Sequence, residues 1–293
     1  MRVLVTGGTG FLGAPLCRAL RAEGHAVTVV TRDPEHAGGA AVGWDAVDAA
    51  VRDADALVNL AGEPITAGRW TAARKARIAT SRVGGTRTLV RAIAAAERRP
   101  SVLVSASAIG YYGARGDEPV DETAPAGRGF LADVCRAWEA EAIAGEALGV
   151  RVVRLRIGIA LASDGGALDR MQVPFRAFLG GPVGSGRQWM SWVHRDDVIG
   201  LVLAALEDAR WTGPVNATAP QPVTNAEFAQ ALGRALARPA RVRTPGFALR
   251  LAFGEMADML LTGQRVVPAV AERLGYAFRY RDVAAALRVT ARR

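Results

Sequence analysis

Short apolar runs alternate with amphipathic stretches along the first half of the chain. The runs predict six β-strands, at about residues 2–5, 26–31, 41–44, 56–60, 102–105 and 150–157. Apolar positions at helical spacing predict helices over about 11–22 and 71–98. Short strands that are apolar on both faces and alternate with helices are typical of a parallel sheet covered on both sides. The pattern therefore predicts an α/β fold with a Rossmann-type, doubly wound parallel sheet.

The pattern changes after Leu161. A glycine-rich segment over 180–186 leads into an aromatic run at 189–192, and a predicted helix over 224–237 and a mostly helical region over 247–288 follow. We expect residues 1–220 to form a Rossmann domain, with part of a substrate lobe inserted at about 162–192. Residues 221–293 are expected to complete a smaller, mostly helical C-terminal lobe over the carboxyl ends of the strands, where ligands bind in open α/β sheets.

Composition narrows the class of protein. The 293-residue chain has no apolar stretch near the roughly 18–20 residues that a membrane span needs, so we expect no membrane span. Two cysteines are too few for a disulfide framework or a zinc cluster, which favours a reducing, cytoplasmic location and no metal site. The net charge of +9 comes from scattered arginines without a polybasic run. We therefore expect an anionic small molecule, not nucleic acid, as the partner.

The segment between the first strand and the first helix reads Thr6-Gly7-Gly8-Thr9-Gly10-Phe11-Leu12-Gly13. Three glycines at this spacing, directly after a strand and at the start of a helix, are the context of a dinucleotide-binding motif. The first permits a tight turn, the second lets backbone approach a pyrophosphate, and the third lets the helix pack closely on the strand. The helix N-terminus favours the phosphates. We predict that these residues bind the cofactor: Gly7, Thr9, Gly10, Phe11, Leu12 and Gly13.

The end of the second strand bears on which dinucleotide is bound. NAD(H) sites place an acidic residue there for the ribose 2′-hydroxyl, whereas NADP(H) sites need a cation for the 2′-phosphate. Thr31 stands at the position of the acid and Arg32 follows, so the sequence favours NADP(H), while Asp33 leaves NAD(H) as the alternative. Residues that close the fourth and fifth strands are also predicted to contact the cofactor: Asn59, Leu60, Ala61, Gly62 and Ser105.

Several longer motifs carry a resemblance to a known family. They are Trp70 with Arg74-Lys75 and Ser81-Arg82, Ser-Ala-Ser-Ala-Ile-Gly-Tyr-Tyr-Gly over 105–113, and the runs 180–189, 191–197 and 213–220. With these motifs the chain resembles the extended short-chain dehydrogenase/reductases, and within them the subfamily labelled epimerase family protein, some of whose members are called cell-division-inhibitor-like. The resemblance spans essentially the whole chain, including a family-specific segment at about 246–293. It implies NADP(H) binding, a Rossmann domain, a substrate lobe and a possible homodimer, but no settled reaction.

One departure from the wider superfamily concerns catalysis. Its members use Tyr-x-x-x-Lys on the helix after the fifth strand, where the lysine holds the nicotinamide ribose and lowers the pKa of the tyrosine. Aligned on Glu139, this pair falls at Leu131 and Cys135, neither of which can do the same chemistry. The sole lysine, Lys75, has Thr71 four residues before it, so no shift of register restores the motif. We expect Cys135 to be a buried thiol.

Three interpretations of the chemistry remain open. In the first, Tyr111 or Tyr112 acts as the proton donor with Ser107, after the fifth strand. In the second, His194, Arg187 or Lys75 supplies acid–base or cationic help from other segments. These three residues and Trp189 are the predicted substrate contacts. In the third, the chain is a catalytically silent NADP(H)-binding regulatory or scaffold protein. The leading hypothesis is an NADP(H)-dependent oxidoreductase or nucleotide-sugar-epimerase-like enzyme that acts on an unidentified small molecule.

Overall fold

The structure is a computed structural model that describes residues 1–291, so the last two residues of the predicted segments 221–293 and 246–293 lie outside the described residues. The described strands are β1 (Arg2–Thr6), β2 (Ala26–Val30), β3 (Ala41–Val42), β4 (Ala56–Asn59), β5 (Val102–Ala108), β6 (Pro119–Val120), β7 (Arg151–Ile157), β8 (Ile159–Leu161), β9 (Trp189–Met190), β10 (Trp192–His194), β11 (Gly213–Ala217), β12 (Val223–Thr224) and β13 (Arg265–Val266). The described α-helices are α1 (Gly13–Ala22), α2 (Val47–Asp53), α3 (Ala72–Ala95), α4 (Phe130–Ile143), α5 (Gly166–Arg176), α6 (Arg195–Glu207), α7 (Asn225–Leu236), α8 (Gly246–Phe253), α9 (Asp258–Leu261), α10 (Ala269–Arg273) and α11 (Val283–Thr290).

Seven strands form one parallel sheet in the order β11-β7-β5-β4-β1-β2-β3. The strand order reverses between β1 and β4, which is the switch point where doubly wound folds bind ligands. The register places Thr6 beside Asn59 and Asn59 beside Ser105, so the carboxyl ends of β1, β4 and β5 meet at one edge. The predicted α/β fold with a Rossmann-type, doubly wound sheet is confirmed.

Alternate positions of each strand face opposite layers of helices. Val3 and Val5 point into the layer that contains α1 and α6, whereas Leu4 packs with α2 and α3 on the other face. Both layers consist of buried apolar side chains, because a parallel sheet covered on both sides has no solvent-facing surface. The carboxyl ends of the central strands are therefore held between two packed layers.

A third apolar cluster forms the core of the smaller lobe. It joins α5, which follows β8, to α7 and α11, and its buried side chains include Leu168, Phe175, Trp192, Phe228 and Leu287. Two short strand pairs, β8 with β10 and β9 with β12, belong to the same region. The C-terminal region also returns to the Rossmann part, since β13 pairs with β6 and Phe278 packs into the core of the main sheet. The segment after residue 246 therefore contributes to both parts of the fold.

Some elements differ from those expected from the sequence. β5 runs on to Ala108, and α1 begins only at Gly13 because residues 7–12 form the turn. The apolar pattern missed α2, which is short, and β11, in which Pro214 weakens the strand signal. Proline is tolerated there because β11 is an edge strand. Among the described residues, no helix combines the length and apolar character needed to cross a membrane.

Candidate functional site

A tight glycine turn joins β1 to α1. Gly7 has a φ of +68°, which L side chains rarely adopt, and a Cβ there would lie 2.8 Å from the carbonyl carbon of Leu60. At Gly13, a Cβ would overlap the carbonyl oxygen of Gly7, so only glycine lets the start of α1 pack against the turn. The Gly10 amide closes the turn by donating to the Gly7 carbonyl over 3.0 Å. Sterics therefore require glycine at two of the three motif positions.

The N-terminal end of α1 offers unpaired backbone donors. No side chain caps the helix at Leu12, and the amides of Phe11 and Leu12 donate to no group within residues 1–291. Thr9, at the tip of the turn, is exposed. Free amides at the positive end of a helix dipole bind phosphate groups. The tight glycine turn and these free amides therefore fit the pyrophosphate of a dinucleotide.

Polar side chains hold the carboxyl ends of β1, β4 and β5 together. The Thr6 hydroxyl donates to Asn59 Oδ1 over 2.7 Å. Asn59 Nδ2 donates to Thr86 Oγ1 on α3 over 2.8 Å and to Ser105 Oγ over 3.4 Å. Asn59 and Ser105 are each 1% exposed. Their side chains are engaged inside the protein, so the surface available to a ligand at this point is the chain over 60–62, just beyond β4.

The end of β2 opens into a cleft that contains a free cation. Thr31 and Arg32 line this cleft together with residues 41–46. Arg32 is exposed and forms no ion pair or hydrogen bond with the part of the chain that the structure describes. Asp33, which follows it, is engaged by His36, whose Nδ1 lies 2.9 Å from the carboxylate. The guanidinium of Arg32 is therefore available to an anionic ligand in the cleft.

A buried ion pair lies beside the end of β5. The sheet register places Ser107 next to Arg156 of β7. Arg156 donates through Nε to Glu139 Oε1 over 2.8 Å and through Nη2 to Glu139 Oε2 over 2.9 Å, a bidentate arrangement. The Ser107 hydroxyl also donates to Glu139 Oε1, over 2.7 Å. All three residues are at most 3% exposed, so the hydroxyl proton of Ser107 is committed to a buried carboxylate.

The two adjacent tyrosines have different environments. Tyr112 is fully buried, and its hydroxyl donates to Asn216 Oδ1 over 2.7 Å and accepts from Arg156 Nη1 over 2.9 Å. Burial raises the pKa of Tyr112 to about 12. Tyr111 is partly exposed, its ring centre lies 3.5 Å from the guanidinium carbon of Arg156, and its hydroxyl has no partner among residues 1–291. This geometry does not favour the predicted catalytic role of Tyr112, because its hydroxyl is buried and hydrogen-bonded within the protein.

α4 presents the positions of the missing Tyr-x-x-x-Lys pair to the end of β5. A Cβ at Gly110 would lie 3.2 Å from Leu131 Cβ and 3.8 Å from Cys135 Sγ, so both residues face the segment after β5. Cys135 is buried, as expected from the sequence, and burial raises the pKa of its thiol to about 11. The thiol is therefore neutral near pH 7 and supplies neither the charge of a lysine nor a nucleophile.

Lys75 and Trp189, predicted as substrate contacts, have separate sets of partners. Lys75 of α3 pairs with Glu255 and lies 5.2 Å from the ring centre of Phe130. Trp189 Nε1 donates to Asp117 Oδ1 over 2.8 Å, and Arg187, two residues earlier, is exposed. Each set of contacts bridges the Rossmann part and the smaller lobe.

His194 stands at the start of α6, where its Nδ1 accepts from the Asp196 amide over 3.1 Å. Its ring packs on Tyr280, and burial lowers the pKa of His194. Asp197 accepts from the amides of Arg279 and Tyr280, which ties the C-terminal segment to α6. Capping a helix is a structural role that fits this geometry better than the predicted contact with substrate.

Three side chains near the amino ends of the strands, opposite the glycine turn, have the spacing of metal ligands. The ligand atoms of Glu23, His25 and Glu207 lie within 4.8 Å of one another, and both carboxylates are exposed. His25 precedes the amino end of β2, so the group is remote from the glycine turn. Exposed carboxylates commonly gather without an ion, and the group carries no assignment.

Comparison with known protein families shows to which family the chain belongs. Residues 3–216 match the model of the NAD dependent epimerase/dehydratase family. The chain belongs to this epimerase family. Residues 244–289 match a domain of unknown function, DUF1731, which covers most of the family-specific segment expected at about 246–293. The resemblance inferred from the motifs is therefore confirmed.

Relatives in the epimerase family align along nearly the whole chain. The epimerase family protein SDR39U1 homolog, chloroplastic, of Arabidopsis thaliana is 43% identical over 98% of this chain and 86% of its own length. Human epimerase family protein SDR39U1 is 40% identical over 98% of this chain and 99% of its own. A crystal structure of human SDR39U1 (isoform 2) with NADPH is 38% identical, covers 99% of each chain and has a TM-score of 0.92. UDP-glucuronic acid 4-epimerase from Bacillus cereus, 16% identical over 99% of this chain and 98% of its own with a TM-score of 0.80, shares the fold alone.

Three buried residues around Tyr112 in this epimerase-family site were not predicted from the sequence. The signal for Arg156 is a charged residue inside the apolar run over 150–157, which indicates a buried partner. Glu122 accepts from the amides of Asn216 and Val270 through Oε1, while its buried Oε2 has no partner in the described chain. Asn216 lies in the motif over 213–220, but nothing in the sequence indicates its contact with Glu122, 94 residues earlier.

Proposed function

We propose that this protein is an NADP(H)-dependent oxidoreductase or epimerase of the extended short-chain type, acting on an unidentified small molecule. The observation that carries the proposal is the cradle formed by Gly7, Gly13 and the unpaired amides of Phe11 and Leu12, at the switch point of the sheet. The NADPH in the crystal structure of human SDR39U1, which is 38% identical to this chain, supports the choice of cofactor.

The end of β2 favours NADP(H) over NAD(H). Thr31 stands where an NAD(H) site needs an acidic residue, and the exposed Arg32 guanidinium would pair with a 2′-phosphate through two N–H groups. The Asp33 carboxylate lies 2.9 Å from His36 Nδ1 and forms no ion pair with Arg32. When bound, the dinucleotide would donate a hydride to the substrate or accept one from it.

Tyr111 is the residue best placed to exchange a proton with a substrate. Its phenol is partly exposed and free of hydrogen bonds among residues 1–291, whereas the hydroxyls of Ser107 and Tyr112 are buried and paired. We assign Ser107 and Tyr112 as positioning residues. Together they hold Glu139 and Arg156 in place, and Arg156 supports the Tyr111 ring.

The four predicted substrate contacts also divide into two that are retained and two that have structural roles. Arg187 is exposed and Trp189 half-buried, and both are retained as proposed substrate contacts. Lys75 is paired with Glu255 and His194 caps α6, so we assign structural roles to both. The division into a Rossmann domain over 1–220 and a lobe over 221–293, the homodimer and the cytoplasmic location are also retained as proposals, although one relative is named chloroplastic.

Titration calorimetry of the protein without cofactor tests dinucleotide binding. We expect NADPH to bind about tenfold or more tightly than NADH, and Arg32→Ala to remove most of this preference, because a hydrogen bond to a charged group contributes about 1.5–3 kcal/mol. Arg210→Ala is the matched control, since Arg210 is another exposed arginine, pairs with Asp208 and precedes the amino end of β11. Absence of NADPH binding contradicts the proposed function, and an unchanged preference in Arg32→Ala contradicts the role of Arg32.

A catalytically silent NADP(H)-binding regulatory or scaffold protein is the second candidate function. The missing Tyr-x-x-x-Lys pair and the sealed hydroxyls of Ser107 and Tyr112 favour it. A screen of NADPH oxidation with quinones and carbonyl compounds distinguishes the two functions. For an enzyme, we expect activity that Tyr111→Phe lowers about 100-fold or more and that Tyr280→Phe, a control beside His194, leaves unchanged. NADPH binding without turnover of any compound supports the silent protein.

A further inference from the structure

Arg82 of α3 is a partly buried cation without a carboxylate partner. It forms no ion pair within residues 1–291, and burial lowers its pKa. Its Nη1 donates to the carbonyls of Glu63 and Ile78 over 3.0 and 3.3 Å, while Nη2 has no acceptor in the described chain. Nη2 is the part of the guanidinium that is open to a ligand, because it is accessible and has no acceptor within residues 1–291. Arg82 therefore has the environment of a ligand-binding residue.

The Arg82 guanidinium lies beside the loop that follows the carboxyl end of β4. A Cβ at Gly62, just after β4, would lie 3.1 Å from Arg82 Cζ and 3.2 Å from Nη2. The same guanidinium lies 5.4 Å from the ring centre of Trp138 on α4. Trp138 comes three residues after Cys135 on α4, and Cys135 occupies the position of the missing lysine. Arg82 of α3 therefore lies beside the part of α4 that carries the position of the missing lysine.

The nearby carboxylates are already neutralised by other arginines. Glu63, in the loop after β4, pairs with Arg74 over 2.7 Å, and its amide donates to Ser81 Oγ over 3.0 Å. Glu139, one turn beyond Cys135 on α4, pairs with Arg156. Arg74 and Ser81, from the same helix as Arg82, therefore hold the loop that Arg82 contacts. Arg82 itself forms no ion pair with Glu63 or Glu139.

We propose that Arg82 takes the place of the missing lysine and donates through Nη2 to the hydroxyls of the nicotinamide-side ribose of NADP(H). This role rests on the proposed function, because it requires the dinucleotide to bind with its pyrophosphate at the glycine turn and its 2′-phosphate at Arg32. A guanidinium carries several donors in a planar fork, which suits the two neighbouring hydroxyls of a ribose. Cys135 then needs no charge, in keeping with its buried thiol.

Calorimetric titration with two ligands tests this role of Arg82. NADPH contains the nicotinamide-side ribose, whereas adenosine 2′,5′-bisphosphate lacks it. We expect Arg82→Met, which keeps an apolar stem against Trp138, to weaken NADPH binding about tenfold or more and to change binding of the bisphosphate by less than about twofold. Arg87→Met is the matched control on the same helix, because Arg87 is exposed and pairs with Glu141; it is expected to change neither affinity.

The outcomes separate this role from the proposed function. NADPH affinity of Arg82→Met equal to that of the wild type overturns the role of Arg82, and so does an equal loss for both ligands, which would indicate a general structural defect. Arg32→Ala is expected to weaken both ligands and serves as the reference. Absence of NADPH binding by the wild type overturns the proposed function together with this role. Arg82→Gln, which keeps a donor near Glu63, carries the same expectations and replaces the methionine variant if that variant does not fold.

Discussion

Replacing Arg156 with methionine removes the cation beside Ser107 and leaves Glu139 buried without its main partner. Arg156 is 2% exposed and donates to both oxygens of Glu139 and to the Tyr112 hydroxyl. Removing one member of a buried, hydrogen-bonded ion pair costs about 3–5 kcal/mol, because the remaining charge stays in a site away from water. We therefore expect the free energy of unfolding to fall by about 4 kcal/mol, a large part of the roughly 5–15 kcal/mol typical of folded proteins.

Urea denaturation followed by circular dichroism measures this loss. Arg154→Met is the matched control, since Arg154 lies on the same strand and its Nη1 is 3.5 Å from the same Glu139 carboxylate, but its side chain is 16% exposed. We expect the control to lose about half as much or less, because its contact with Glu139 is longer and involves one nitrogen only. The double variant Glu139→Met/Arg156→Met removes both charges and is expected to recover most of the stability. A loss in Arg156→Met no larger than in Arg154→Met, or a double variant as unstable as the single one, would refute the coupled buried pair.

Gly13→Ala places a Cβ against the backbone of the turn, so we expect NADPH affinity in calorimetry to fall about tenfold or more. Gly84→Ala in α3, whose Cβ would make only an ordinary contact 3.6 Å from Thr80 Cγ2, should bind normally, and normal binding by Gly13→Ala would contradict the packed turn. Burial raises the pKa of Glu122, so the folded protein favours its protonated form and loses stability as pH rises above the ordinary value of 4.5. Glu122→Gln should lose less stability than the wild type between about pH 4 and pH 7 in urea denaturation, and an equal or larger loss would count against the burial of this carboxyl. Burial raises the pKa of both thiols, so Ellman's reagent is expected to label Cys17 and Cys135 only after unfolding in urea; rapid labelling of the folded protein would show the thiols to be accessible.

Local sequence was sufficient to predict the main sheet and the glycine turn. Strands that are buried on both faces display their burial directly as apolar runs, and six of the seven strands of the main sheet were predicted from them. β11 was not predicted, because it is an edge strand that tolerates Pro214 and has a less continuous apolar run. Gly7 and Gly13 were recognisable because they meet a steric requirement within one short segment, between a strand and the helix that follows it.

The polar pairings at the candidate site could not be predicted in this way. Tyr112 bonds to Asn216, 104 residues later, and Glu139 bonds to Arg156, 17 residues later. Strand order and register decide which of these side chains meet, and neither is encoded in local propensity. The sequence therefore did not distinguish Tyr111 from Tyr112 as the proton donor. In the structure the Tyr112 hydroxyl is buried and paired, whereas the Tyr111 hydroxyl has no partner among residues 1–291.

By itself, the sequence determined the doubly wound sheet, the phosphate cradle after β1 and the loss of the Tyr-x-x-x-Lys pair from α4. These features depend on residue types at short spacing, where backbone sterics and apolar periodicity act. Which hydroxyls are buried and hydrogen-bonded depends on the tertiary structure, and so does the position of Arg82 of α3 between Trp138 of α4 and the loop after β4. The reason is physical: the burial and pairing of a polar group depend on what packs against it from distant parts of the chain.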